Sequence, residues 1–165
     1  MSACSQIGKE QSLKAFIDDP GNKITQVITV GDVGVVSRFL PDSYRSLIEE
    51  KKDPVPNENK GFYYFNIKFN KKVTDKPDKE KMMYLNFDMQ NDFVLVTSKK
   101  DSVMPAICQK IENGIKGSYE YMLAFEKKEN DAGDFTLLYN DNIFSIGTVA
   151  FFYNEKDILK IPGIK

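Results

Sequence analysis

The chain has 165 residues, 41% hydrophobic and 28% charged, and its 23 basic side chains nearly balance 24 acidic ones for a formal charge of -1. This length supports one domain burying roughly 70% of its unfolded surface, and the charge balance removes the electrostatic basis for binding duplex nucleic acid. The absence of His excludes Ser-His-Asp and Cys-His nucleophile systems, His-ligated zinc and imidazole proton relays.

Residues 5–12 are polar and lack strand alternation, a composition that predicts a tether. Behind them Leu13, Phe16 and Ile17 fall at helical spacing, with Ser12 as cap and Pro20-Gly21 as stop, predicting at most two turns. Residues 1–23 thus read as tether and short helix, and 24–165 as the folded domain. The β-branched runs 24–30 and 33–40, joined by Gly31-Asp32, predict a hairpin. Tyr44, Leu47 and Ile48 share a helical face within 44–50, and 51–60, with Pro54 and Pro56, reads as a loop.

Residues 62–69 alternate as a half-buried strand with Tyr63, Phe65, Ile67 and Phe69 inward. After a charged connector, 82–89 resumes alternation, predicting a strand with Met83, Leu85, Phe87 and Met89 inward. Further strands are predicted at 93–96, 103–111, 119–125, 135–139 and 146–153, about nine in all, separated by Asn-, Asp- and Gly-rich turns. Short strands at such spacing, with few helical patterns, predict an all-β fold: an antiparallel β-sandwich of two packed sheets with one or two short peripheral helices.

The two cysteines have separate readings. Met1-Ser2-Ala3-Cys4 resembles the end of a bacterial lipoprotein signal, where small residues precede a Cys that receives diacylglycerol. That reading makes Cys4 a lipidation site, requires a basic and apolar leader upstream, and anchors the protein without a spanning helix. The competing reading is a chance Cys in a cytoplasmic chain. Cys108 sits in the apolar run Val103-Met104-Pro105-Ala106-Ile107-Cys108 and reads as a small buried hydrophobe. A Cys4–Cys108 disulfide requires an oxidising compartment and a Cys4 free of acyl chains.

Over roughly residues 60–153, the succession of a 63–69 strand, Phe93-Val94-Leu95-Val96, the 119–125 strand, Phe135-Thr136-Leu137-Leu138-Tyr139 and Gly147-Thr148-Val149-Ala150-Phe151-Phe152 resembles the small immunoglobulin-like (telokin-like) domains of bacterial exported lipoproteins. The resemblance implies a non-catalytic extracytoplasmic module for binding or scaffolding, with an envelope protein or glycan as partner, and carries no catalytic residues.

Candidate chemistry is sparse. Acidic and amide side chains cluster in turns, and Asp131, Asp134 and Asp141 are the oxygen ligands to consider for Ca²⁺, although Asn and Asp also favour turns for backbone reasons. Phe62, Tyr64, Tyr119, Tyr121 and Tyr153 are candidates for an aromatic ligand platform, with core filling as the alternative. Residues 60–81 carry seven Lys against three acids, and 126–142 two Lys against five acids, polarising the chain mildly. The competing function is a carboxylate-dependent periplasmic or secreted hydrolase, which needs two acids converging in a cleft.

Overall fold

The computed structural model describes residues 3–42, 44, 61–72, 76–128 and 131–163, with side chains from Gly8 onward. The readings at 45–50 and 51–60 lie outside the described residues.

Alternation of side chains dictates most of the architecture. β1 (Thr25–Val30) and β2 (Val33–Leu40) form the expected hairpin, with Val30 opposite Val33. Gly31 takes φ 59°, a conformation glycine adopts without a Cβ clash. β2 buries Val33, Val35 and Phe39 while its alternate residues Gly34, Val36 and Arg38 are half-exposed and Leu40 is buried on the other face. β3 (Phe62–Lys71) pairs antiparallel with β2, setting Phe65 opposite Phe39 and Phe69 opposite Val35. Its inward Phe65, Ile67 and Phe69 are fully buried, as alternation predicts.

The chain then crosses to the other layer through α2 (Lys79–Phe87) and a 3-10 turn at Met89–Asp92. β4 (Phe93–Val96) and β5 (Ser102–Val103) lie in that second layer. β6 (Ile107–Ile111) and β7 (Ser118–Glu126) return to the first. β8 (Phe135–Asn140) and β9 (Thr148–Tyr153) complete the second, before the short α3 (Glu155–Ile158). The result is an antiparallel sandwich of a five-stranded sheet, β1-β2-β3-β7-β6, and a four-stranded sheet, β5-β4-β8-β9. At one lateral edge the Gln26 amide donates to the Phe152 carbonyl at 2.8 Å, a side chain linking edge strands β1 and β9 where no ladder exists.

The space between the sheets is filled largely by aromatic rings. Phe65 packs with Phe135 and Tyr153 at centroid distances of 5.9 and 5.4 Å, and Phe69 with Tyr139 and Phe144 at 4.7 and 4.9 Å. Such pairs add to plain burial. On the outer face of the larger sheet a second small cluster joins Leu40, Tyr64 and Ala124 with Tyr44, Phe62 and Met122.

Three stretches of the sequence depart from expectation. The tether at 5–12 is helix: α1 spans Ala3–Asp18, and Ser12, expected as a cap, donates to the Lys9 carbonyl within it. Burial of Leu13 and Ile17, one turn apart, fastens this polar segment to the core where its own composition gave no reason for helix. The strand at 82–89 is α2 plus the 3-10 turn, leaving Met83 and Phe87 53% and 71% exposed while Leu85 and Met89 are buried. Asp78 caps α2 by accepting from the Lys81 amide at 2.9 Å. The single strand at 103–111 is two, β5 and β6, in different sheets, with Pro105 between them. The nine strands found among the described residues therefore match the expected number through compensating differences.

Phe65→Ala is expected to cost about 3–5 kcal/mol in denaturant unfolding, whereas Phe87→Ala costs less than about 0.5 kcal/mol. Equal losses at both positions contradict the helical α2.

Candidate functional site

At the end of the sandwich where β3 finishes and β7 begins, a cavity of about 340 Å³ opens between α2 and the β8–β9 loop. Lys71 and Lys72 follow from the end of β3, Lys76 from the connector, and Lys81 from the first turn of α2; all four are exposed and form the rim. Leu85 and Phe144, both buried, form the floor with Ile143 and Tyr119. Among the described residues the one carboxylate in the lining, Asp78, is engaged as the α2 cap. Among the described residues no carboxylate lies within ion-pair distance of the four ammonium groups. The site thus gathers much of the positive excess of residues 60–81 at one opening.

Both walls are held from beneath by acids, Asp92 buried and Asp141 half-buried. In the β8–β9 loop, Asp141 accepts from the amides of Ile143 (2.9 Å), Phe144 (2.7 Å) and Ile146 (2.6 Å) and from the Tyr139 hydroxyl (2.8 Å). These bonds set the two apolar side chains into the cavity and accommodate Ser145 at φ 61° and Gly147 at φ 72°. Burial pushes the Asp141 carboxyl up, but the backbone amides and Tyr139 outweigh it and hold the group below the usual carboxylate range.

Asp92 is fully buried and accepts from the Tyr84 hydroxyl on α2 (2.5 Å) and the Asn142 amide on the loop (2.7 Å), tying the two walls together. Its second oxygen has no hydrogen-bond partner, and burial raises its titration above the ordinary value against the lowering effect of those two bonds. Burial and Asp92 together push the Tyr84 hydroxyl up to about 12. The Tyr121 hydroxyl donates to the Leu85 carbonyl at 2.7 Å, and Lys110 donates to Asn86 at 2.7 Å, so α2 is pinned along its length.

The structure disperses the residues singled out from the sequence. Of the residues considered for an aromatic platform, Tyr121 and Tyr153 are 1% exposed and fill the core, the alternative their sequence left open, while Tyr64 is buried in the small cluster on the outer face. The cause is register: Tyr119 stands opposite Phe69, Tyr121 opposite Ile67 and Tyr153 opposite Phe135, so all three share the core-facing side. Tyr153 and Ser37 satisfy one another at 2.6 Å. Phe62 and Tyr64 remain together, 6.0 Å apart, near the opposite end of β3 from Tyr119. The three acids considered for Ca²⁺ are also separated. Asp131 and Asp134 precede β8, where Asp134 accepts from the Glu155 amide at 2.9 Å, while Asp141 follows β8. Six extended residues span about 20 Å. No group of three His, Cys, Asp or Glu side chains suited to a metal occurs among the described residues. Cys108 is a half-buried free thiol, pushed up to about 11 by burial and nearby Asp92, and the Cys4 side chain lies outside the described residues.

A second cavity, about 390 Å³, lies at the opposite end among Phe39, Phe62, Tyr63, Phe135, Lys127 and Asp131. Its cation is already occupied: Lys127 stands 4.7 Å over the Tyr63 ring and 3.7 Å from Asp42. Among the described residues the rim lysines of the first cavity have no such partners.

The likeness to known proteins is confined to shape. No family model matches the chain, and no curated protein matches it. Among solved structures it is similar to a DUF4426 family protein from Pseudomonas aeruginosa PAO1, with 11% identity, a TM-score of 0.43, and coverage of 80% of this chain and 93% of that one. It is also similar to a novel protein of unknown function from Burkholderia pseudomallei K96243, with 10% identity, a TM-score of 0.45, and coverage of 96% and 90%.

The two acids carry opposite pH signatures. Asp141, held low, contributes stability above the unfolded carboxyl pKa that is lost as pH falls through its folded value. Asp92, held high, favours the protonated fold, and that contribution is lost as pH rises through its folded value. Asp141→Asn is therefore expected to lose about 1–3 kcal/mol at pH 7 and to flatten the acid-side decline. Asp92→Asn is expected to unfold at a higher temperature than the parent at pH 7 and at the same temperature near pH 3. Thermal melts across pH 3–8 check both.

Proposed function

We propose that the protein is a non-catalytic binding module of immunoglobulin-like type, working outside the cytoplasm on a lipid anchor at Cys4, and that it takes an anionic ligand in the lysine-rimmed cavity. The observation carrying this reading is four exposed ammonium groups around one preorganised opening, without internal counter-charges among the described residues. A volume near 340 Å³ lies in the range of small-molecule sites. Walls held by Asp92 and Asp141 reduce the ordering cost of binding. The absence of His favours recognition over the commoner hydrolytic mechanisms. A hydrolase using carboxylates requires acids that reach the substrate. Asp92 is enclosed below the surface, and Asp141 spends its oxygens on the loop.

Chemical-shift titration with inorganic phosphate is expected to move the amides of Lys71, Lys72, Lys81 and Tyr119 ahead of other surface lysines. K71E/K72E is expected to weaken the effect at least tenfold, and raising salt from 0.05 to 0.5 M to weaken it further, as exposed charges require. Shifts spread evenly over surface lysines, or untouched by K71E/K72E, refute the site. For the anchor, Cys4→Ser in the full-length gene product is expected to release the protein from the membrane to the soluble fraction; unchanged membrane retention removes it.

A further inference from the structure

We propose that the ligand of the lysine-rimmed cavity is an amphiphile, a small anion joined to a single short apolar chain or ring, with its head at the rim and its body on the floor. This rests on the reading of the cavity as an anion site and adds the part of the ligand that the lysines do not recognise.

Charge and apolar surface are segregated in depth. Lys71, Lys72, Lys76 and Lys81 are exposed, whereas Leu85 and Phe144 are 2% and 6% exposed. The floor is continuous with the core, since Phe144 stacks on Phe69 at 4.9 Å and meets Tyr119 at 5.7 Å. A free inorganic anion uses only the rim and leaves this surface in water. An apolar body covering the floor gains the transfer free energy of each group it buries.

The head has a further partner available. Tyr119 lines the cavity, yet its hydroxyl makes no hydrogen bond with the described residues, unlike the hydroxyls of Tyr84, Tyr121, Tyr139 and Tyr153. It is a donor left for a ligand oxygen, beside ammonium groups that favour the same charge.

Size limits the body. A cavity of about 340 Å³ holds the equivalent of about ten waters, enough for a short chain or one ring but not for a two-chain lipid. The opening between α2 and the β8–β9 loop is fixed by the Tyr84–Asp92–Asn142 link, so the floor is present before the ligand arrives.

The test is a chain-length series of monomeric carboxylates, from acetate through butyrate and hexanoate to octanoate, titrated calorimetrically into the full chain, with hexyl phosphate and neutral 1-hexanol in parallel. Affinity is expected to rise by up to about fourfold for each methylene added until the floor is covered. Hexyl phosphate following hexanoate extends the result to phosphate heads, and hexanol is expected to bind at least tenfold more weakly. I143S is expected to flatten the chain-length dependence while leaving phosphate binding intact, and Y119F to weaken every anion by a similar factor. Affinity independent of chain length but abolished by K71E/K72E overturns the amphiphile and leaves the anion site standing. Hexanol binding as tightly as hexanoate, with K71E/K72E without effect, overturns both.

Discussion

The antiparallel register of β3 against β2 and β7 is the constraint on which the rest of the molecule depends. Because side chains alternate, a slip of one residue sends every inward ring of β3 to the outer face. With Phe65 between Phe39 and Leu123, and Phe69 between Val35 and Tyr119, the large rings of three strands meet on one side and the second sheet closes over them. The same register carries Lys71 to the strand end beside Tyr119, placing charge at the mouth and an aromatic ring below it.

Polar groups inside this aromatic core are kept few and assigned. Tyr121, Tyr139 and Tyr153 bury their rings and find an acceptor or partner for each hydroxyl, which avoids the cost of an unsatisfied donor. Asp141 and Asp92 lie at the same end of the sandwich and differ in how completely they are satisfied. Asp141 organises a loop through backbone amides and keeps its charge easily. Asp92 joins two elements that do not otherwise share a ladder and retains one oxygen without a partner, at the expense of easy ionisation. The cavity lies above these two groups, so its shape follows from the same hydrogen bonds that close the end of the core.

Much of the strand framework was legible because local pattern and tertiary burial agree there. The Gly31-Asp32 turn, the inward face of β3 and the strands at β4, β7 and β8 follow from alternation and turn residues alone. The stretch 82–89 misled because Leu85 and Met89 are spaced both as strand neighbours on one face and as a helical i, i+4 pair. The sign that separates the readings is Asp78 after Pro77, a helix cap rather than a strand start. At α1 the polar side chains concealed a helix that two residues, Leu13 and Ile17, fasten to the core cluster. The cavity left a partial trace, the lysine excess of 60–81. Its floor comes from β7, α2 and the β8–β9 loop, segments that have no common pattern.

Composition by itself determined that imidazole chemistry is absent, that charge is balanced overall, and that alternating aromatic strands would form two packed sheets. Only the tertiary structure decided which faces of β7 and β9 turn inward, and that four lysines surround an apolar floor. The physical reason is range. Alternation, turns and caps act over a few residues, whereas register and the meeting of loops at one end of a sandwich are set by long-range packing that no single segment encodes.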